Sequence, residues 1–192
     1  MTAVDELATA IAVGRLVVIP TDTVYGLACR PDLEESARML SSLKRRSAEQ
    51  PIAIVAASVD ALVELVPELE GRSVPRGPFT IVLPNPALRL PWLTGARPDT
   101  IGVRLPEVGG DAAELLARVG AVAATSANLH GAADPCALTD VPSEILEAVA
   151  GVLDVGVLPG TPSTVVDVTG SEPCVLREGA VPAATALAQF RE

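Results

Sequence analysis

Four short polar clusters carry the side chains with which this chain could do chemistry. In the first, an apolar run at Leu16 to Ile19 reads as a buried strand closed by Pro20, whose ring nitrogen has no hydrogen for a sheet ladder. Thr21-Asp22-Thr23 follows, with Tyr25 and Gly26 just beyond. Two hydroxyls and a carboxylate at a strand end can hold a small zwitterion by its two charges, and Gly26 permits close backbone approach. The same residues also suit an ordinary Asx/ST turn. The second cluster, Thr125-Ser126-Ala127-Asn128, again follows a strand, the small-residue run Ala121 to Ala124. The third is Lys44-Arg45-Arg46, where a helix end meets the loop Ser47 to Gln50 and a strand at Pro51 to Val55. A guanidinium fork and an ammonium at such a mouth can grip phosphate oxygens, or can only complement the carbonyl end of the helix. The fourth is Arg104, at the end of the strand-like run from Thr100, which if buried needs an anion, either a ligand or an internal carboxylate.

Strands and helices must alternate to place these clusters. Thr2 and Asp5 predict a capped first helix with an apolar stripe at Val4, Leu7, Ala8 and Ile11, stopped by Gly14. Asp32 is expected to cap a second helix and Ser58 a third, which closes at Pro67. Pro84 to Asp99 reads as a long connection of the kind that often serves as a lid. Helices are further expected at Asp111 to Val119, at Thr139 to Ala150 with Thr139 or Asp140 as cap, and at Pro182 to Phe190. Strands are expected at Gly77 to Leu83, Val152 to Val157, Ser163 to Val168 and Cys174 to Gly179. This interleaving predicts an α/β sandwich with a mixed sheet.

Composition narrows the chemistry. The 192 residues are 49% hydrophobic, enough to bury a core as one domain. No run is long enough to span a bilayer and no leader precedes the first helix, so a cytoplasmic protein without membrane contact is expected. Cys29, Cys136 and Cys174 lack metal-ligand spacing and are expected to stay reduced. Aromatic residues make up 2% of the chain and the net charge is −10, a poor composition for stacking on bases or adhering to nucleic acid. Lys44 is the one lysine among fourteen basic residues, as expected where a compact ammonium is needed. His130 has no carboxylate or nucleophile beside it in sequence and reads as a loop residue. With no Walker A, GxGxxG, nucleophile elbow or metal set, the inventory suits binding a nucleotide beside a small polar molecule, with rate arising from positioning and charge stabilisation.

Seven motifs then occur in one order: PTDTVYGL (20–27), Lys44-x-Arg46 with Pro51 beyond, GPFT (77–80), GVRLP (102–106), TSANLHG (125–131), STVVD (163–167) and LREG (176–179). In this the chain resembles the YrdC-like, threonylcarbamoyl-AMP synthase (TsaC) family over nearly its whole length. The resemblance implies a YrdC-like twisted mixed sheet flanked by helices, an architecture like that of double-stranded-RNA-binding relatives, here as a single domain over 1–192. It implies synthesis of threonylcarbamoyl-AMP and pyrophosphate from L-threonine, bicarbonate and ATP, for N6-threonylcarbamoyladenosine at position 37 of tRNA. By the family's pattern Thr23, Arg104, Ser163 and the Ala124 backbone would hold threonine. Lys44, Arg46, Ser126 and Asn128 would form the catalytic tetrad on the phosphates, and Gln50, Thr100, Asp134 and Arg177 would complete the ATP site. Mg²⁺ would accompany the nucleotide, with no dedicated metal ligands, and a downstream tRNA threonylcarbamoyl-transferase complex would take the product. Val55 and Val108 stand where relatives often have histidine, and His130 where serine is usual. Two other readings are an RNA-binding module of the same fold and a paralogous carbamoyl- or nucleotidyl-transfer domain with another small substrate.

Overall fold

In the computed structural model, which describes residues 2–190, eight strands form one mixed sheet. In chain order they are β1 (Val17–Pro20), β2 (Tyr25–Cys29), β3 (Ala53–Ala56), β4 (Phe79–Pro84), β5 (Thr100–Arg104), β6 (Ala121–Ser126), β7 (Thr164–Asp167) and β8 (Cys174–Arg177). Their order across the sheet is β1-β2-β6-β3-β5-β4-β7-β8. β3 pairs parallel with β5 and β4 with β7, and the other neighbours are antiparallel.

Alternation along the strands divides the interior. Val18, Leu27, Ile54, Ala123, Ile81, Val103 and Val166 point to one face. There they meet α2 (Glu34–Leu43), α3 (Val59–Leu65), α4 (Pro91–Thr94), α6 (Ser143–Ala148) and α7 (Ala183–Ala188), through Leu40, Leu62, Leu93, Ile145 and Ala186. Val17, Ile19, Ala28, Val122 and Val55 point to the other face. Only α1 (Ala3–Ala12) and α5 (Gly110–Val119) lie there, packing Val4, Leu7, Ile11, Leu115 and Leu116 over the β1-β2-β6-β3 half. Past β3 no helix among the described residues covers that face, and its side chains, Arg104, Thr80, Val82 and Val165 among them, become the floor of a cavity.

The first helix forms as expected: Thr2 Oγ1 accepts from Asp5 N at 3.1 Å, and Thr2 N donates to Asp5 Oδ2 at 2.7 Å. Elsewhere tertiary contacts override local signals. The segment after Asp22 reads as turn throughout, yet Tyr25–Cys29 is a fully buried strand, because neighbours on both sides satisfy its backbone despite Gly26. Asp32 does not cap α2. It pairs with Arg30 at 2.6 Å, and Leu33 occupies the cap with no side-chain bond. The helix expected from Thr139 is shorter, α6 with Pro142 before it; Asp140 instead accepts the backbone N–H groups of Cys136 and Ala137. Val152 to Val157 forms no full strand. Val152 bridges Val18, after which the chain leaves the sheet edge. The Pro84 to Asp99 connection holds a helical turn, α4.

Candidate active site

The uncovered sheet face and the strand-end loops enclose a cavity of about 390 Å³. The Thr21–Val24 turn forms one wall. Thr21 Oγ1 donates to Val24 O at 2.8 Å and accepts from the Val24 amide, closing the turn on itself, and this leaves Thr23 and Asp22 to face β5. There Arg104, only 7% exposed, ion-pairs with Asp22 and donates from Nη2 to Thr23 Oγ1 at 2.9 Å. Asp22 also accepts the Glu107 amide at 3.0 Å. Of the two partners open to Arg104 in sequence, the internal carboxylate is present. The Arg104 Nε remains buried without a hydrogen-bond partner.

The opposite wall comes from the two edge elements. Ser163 Oγ lies 2.8 Å from Thr80 Oγ1, and Arg177 Nη2 donates to Ser163 O at 2.8 Å. Gly179 makes this approach possible, since a Cβ there would collide with the Pro162 and Ser163 carbonyls. Gly95, at φ +64°, likewise lets the α4 loop sit against residues 49–51, where any side chain would meet Glu49 O. That packing carries Thr94, Ala96 and Arg97 into the wall. Arg97 is held by Asp167 at 2.6 Å.

The third wall is the β6 end. Arg46 Nη1 donates to Thr125 Oγ1 at 3.0 Å, and its Nε is buried and unpartnered. Ser126 Oγ donates to Asn128 Oδ1 at 2.7 Å. Directly behind, the Lys44 ammonium, 3% exposed, gives its protons to Ser126 O, Asn128 O and Asn128 Oδ1. Burial, then the neighbouring Arg46, pulls this ammonium down to about 8, with Asp134 acting against both. Burial also lowers Arg46 and Arg104, and in each case the Arg177 charge lowers it further. Arg177 therefore repels both of the other guanidiniums around the cavity, in a chain whose net charge is −10.

Of the residues singled out in sequence, Thr23, Arg46, Thr100, Arg104, Ala124, Ser126, Asp134, Ser163 and Arg177 all line this one cavity. Lys44 and Asn128 do not line it; they sit one layer behind Ser126 and brace its turn. Gln50 is also off the wall, its Nε2 3.5 Å from His130 Nε2. His130 donates its amide to Lys44 O, a loop role. Val55 is in the floor, and Val108 packs at the α1–α5 layer. Thr80 and Arg97 line the wall without a role from sequence, and Asp22, read there as a ligand-holding carboxylate, is instead the partner of Arg104. Thr80 lies within the recognised GPFT motif, but Arg97 has no local signal, since its partner Asp167 is seventy positions away. Among the described residues no group of three His, Cys, Asp or Glu side chains could hold a metal, and no helix is long and apolar enough to cross a membrane.

The Sua5/yciO/yrdC family model, described as "Telomere recombination", matches residues 9–179. The putative threonylcarbamoyl-AMP synthase of Mycobacterium tuberculosis is 35% identical over 180 residues, 90% of this chain and 82% of that protein. The threonylcarbamoyl-AMP synthase of Pyrococcus abyssi is 34% identical over 178 residues, covering 88% of this chain and 52% of its own. The crystal structure of P. abyssi Sua5 complexed with L-threonine matches with a TM-score of 0.86 at 30% identity, over 98% of this chain and 57% of that one. The chain thus spans a little over half the length of the Pyrococcus protein.

Proposed function

Since the chain belongs to the Sua5/yciO/yrdC family, we propose that it is an L-threonylcarbamoyladenylate synthase. It would make threonylcarbamoyl-AMP and pyrophosphate from L-threonine, bicarbonate and ATP, a nucleotidyl transfer supplying N6-threonylcarbamoyladenosine in tRNA. The observation that carries this reading is the convergence of Arg46, Arg104 and Arg177 on a cavity that also presents the Thr23 and Ser163 hydroxyls. Repulsion of the two desolvated guanidiniums, Arg46 and Arg104, by the exposed Arg177 is relieved by a polyanion, and a nucleotide with an amino-acid carboxylate is such a ligand.

Arg104, with Thr23 and Ser163, holds the threonine carboxylate and hydroxyl; the Arg104–Asp22 pair fixes the guanidinium so that its remaining N–H groups present to the ligand. The Ala124 backbone borders the same end. Arg46, Arg177 and Ser126 take the phosphates, with Thr100 and Asp134 toward the nucleoside and Gln50 set back beside His130. The amine and bicarbonate combine with loss of water to a carbamate. One carbamate oxygen attacks the α-phosphorus as the bond to pyrophosphate breaks, and arginine charge stabilises the departing oxygens. Lys44 and Asn128 serve by holding Ser126 in place. Mg²⁺ bound to the triphosphate would neutralise the pyrophosphate; Glu49 and Asp134, the carboxylates of the cavity wall, fit the sparse protein ligation that magnesium takes beside phosphates and water. The product would pass to a tRNA threonylcarbamoyl-transferase complex.

Mass spectrometry of the product formed with labelled bicarbonate tests the reading. The expected species is threonylcarbamoyl-AMP carrying one labelled carbon; ATP binding without this product, or RNA binding alone, would refute it. Arg46→Ala is expected to lower kcat by roughly 100-fold or more, the scale of losing one transition-state donor.

A further inference from the structure

Across four adjacent strands the cavity floor carries the smallest side chains available: Gly26 on β2, Ala124 on β6, Ala53 on β3 and Gly102 on β5. Ala53 and Ala124 are direct cross-strand partners. A Cβ on Gly26 would lie 3.9 Å from that of Ala124, and one on Gly102 would lie 3.7 Å from that of Ala53, so the four positions form one row. Glycine inside a strand weakens it and is kept where a ligand or another backbone must come close.

Neither glycine is required by the fold. Both have φ outside the left-handed region. The nearest atoms to a Cβ on Gly26 are Thr125 O at 3.5 Å and Ile19 O at 3.7 Å, and on Gly102 they are Ala53 and Thr80 carbons at 3.7 Å, all ordinary contacts. Gly95 and Gly179 differ, because the packed chain leaves them no room. A second observation points to a ligand above the row. Arg104, two residues along β5 from Gly102 and on the same face, is 7% exposed, and its Nε has no partner. At the β6 end, Arg46 bonds Thr125 and also carries a buried, unpartnered Nε.

We propose that Gly26 and Gly102 are ligand-positioning residues: with Ala124 and Ala53 between them they leave a bare backbone floor for the flat junction of an extended ligand, between its amino-acid end at Arg104 and its phosphate end at Arg46. This rests on the reading of the cavity as a threonylcarbamoyl-AMP synthase site. A methyl group on either glycine raises the floor by one carbon, which the protein accommodates and the ligand does not.

The test is Gly26→Ala and Gly102→Ala in the full chain, read by melting temperature and by pyrophosphate release with L-threonine and with glycine as amino acid. Both variants are expected to melt at or above the wild-type temperature. Each should lose about tenfold or more in kcat/KM with L-threonine and with glycine alike, because both amino acids build the same junction over the floor. A melting temperature lower by more than about 5 °C would overturn the claim that a Cβ fits. A kcat/KM within twofold of wild type, or a loss confined to L-threonine, would overturn the steric role at the junction. If the wild type released no pyrophosphate with either amino acid, the broader reading would fail separately. The floor would then be judged by the stabilisation that ATP confers on melting, expected to shrink in both variants and contradicting the proposal if unchanged.

Discussion

The Lys44 ammonium is the most heavily engaged single group near the cavity, and its environment sets a pH signature. Burial moves it from 10.5 to about 8, so on raising the pH the folded chain releases this proton before the unfolded chain does. Between those two values the unfolded state binds more protons, so the Lys44 share of stability rises with pH, and below about 8 it is flat. Urea unfolding from pH 7 to 9 should show that rise, at most about 1.4 kcal/mol per pH unit for one proton, and Lys44→Met should abolish it; above pH 9 the Cys29 thiol, pushed up to about 12 by burial, contributes the opposite slope. A wild-type profile lacking the rise would mean that the three carbonyl acceptors hold the ammonium charged. The same geometry explains why Lys44 need not touch a ligand to matter: a neutral amine has two protons for three oxygens, and the Ser126 turn would lose one of its supports.

At the level of elements, the segment after α6 is held to the sheet by one side chain from β2. Tyr25, the sole tyrosine, is fully buried, and its hydroxyl lies 2.9 Å from Asp154 Oδ1, 2.7 Å from Gly156 O and 3.1 Å from Val155 N. Further along the same segment, Gly160 donates to Thr23 O at 2.8 Å. Tyr25→Phe keeps the ring and removes the anchor. It is expected to cost about 1–2 kcal/mol and to speed amide exchange at residues 154–160 while β1 and β2 stay protected. Uniform loss of protection through the sheet would instead make the hydroxyl a core determinant. The strand β2 that supplies this anchor had no clear strand signal, since its five residues include Gly26 and follow directly on turn chemistry.

Charge is arranged on the scale of the whole molecule. A chain of net charge −10 turns Arg46, Arg97, Arg104 and Arg177 toward one cavity, so the potential that attracts an anion is confined there while the rest of the surface opposes polyanions. Raising the salt from 50 to 500 mM is therefore expected to increase the KM for ATP several-fold, because the exposed Arg177 guanidinium is screened, with a smaller effect on threonine, which we assign to the buried Arg104. Initial-rate measurements across that range decide the matter, and equal salt dependence for both substrates would contradict this division.

Much of this protein was legible before any coordinates. Strand-end polarity, helix spacing and seven ordered motifs identified the fold class, the family and most of the wall, because each depends on residues close together in the chain. Tertiary structure alone decided which of those groups face the cavity. Lys44 and Asn128 turn out to brace the wall from behind, since three buried carbonyls take the ammonium's protons. Arg104 already has a counterion in Asp22, 82 positions away, and Arg97 joins the wall only because Gly95 lets its loop pack on residues 49–51. Periodicity and local composition register neighbours along the chain. The desolvation and charge pairing that fix these side chains arise between segments that only the folded sheet brings together.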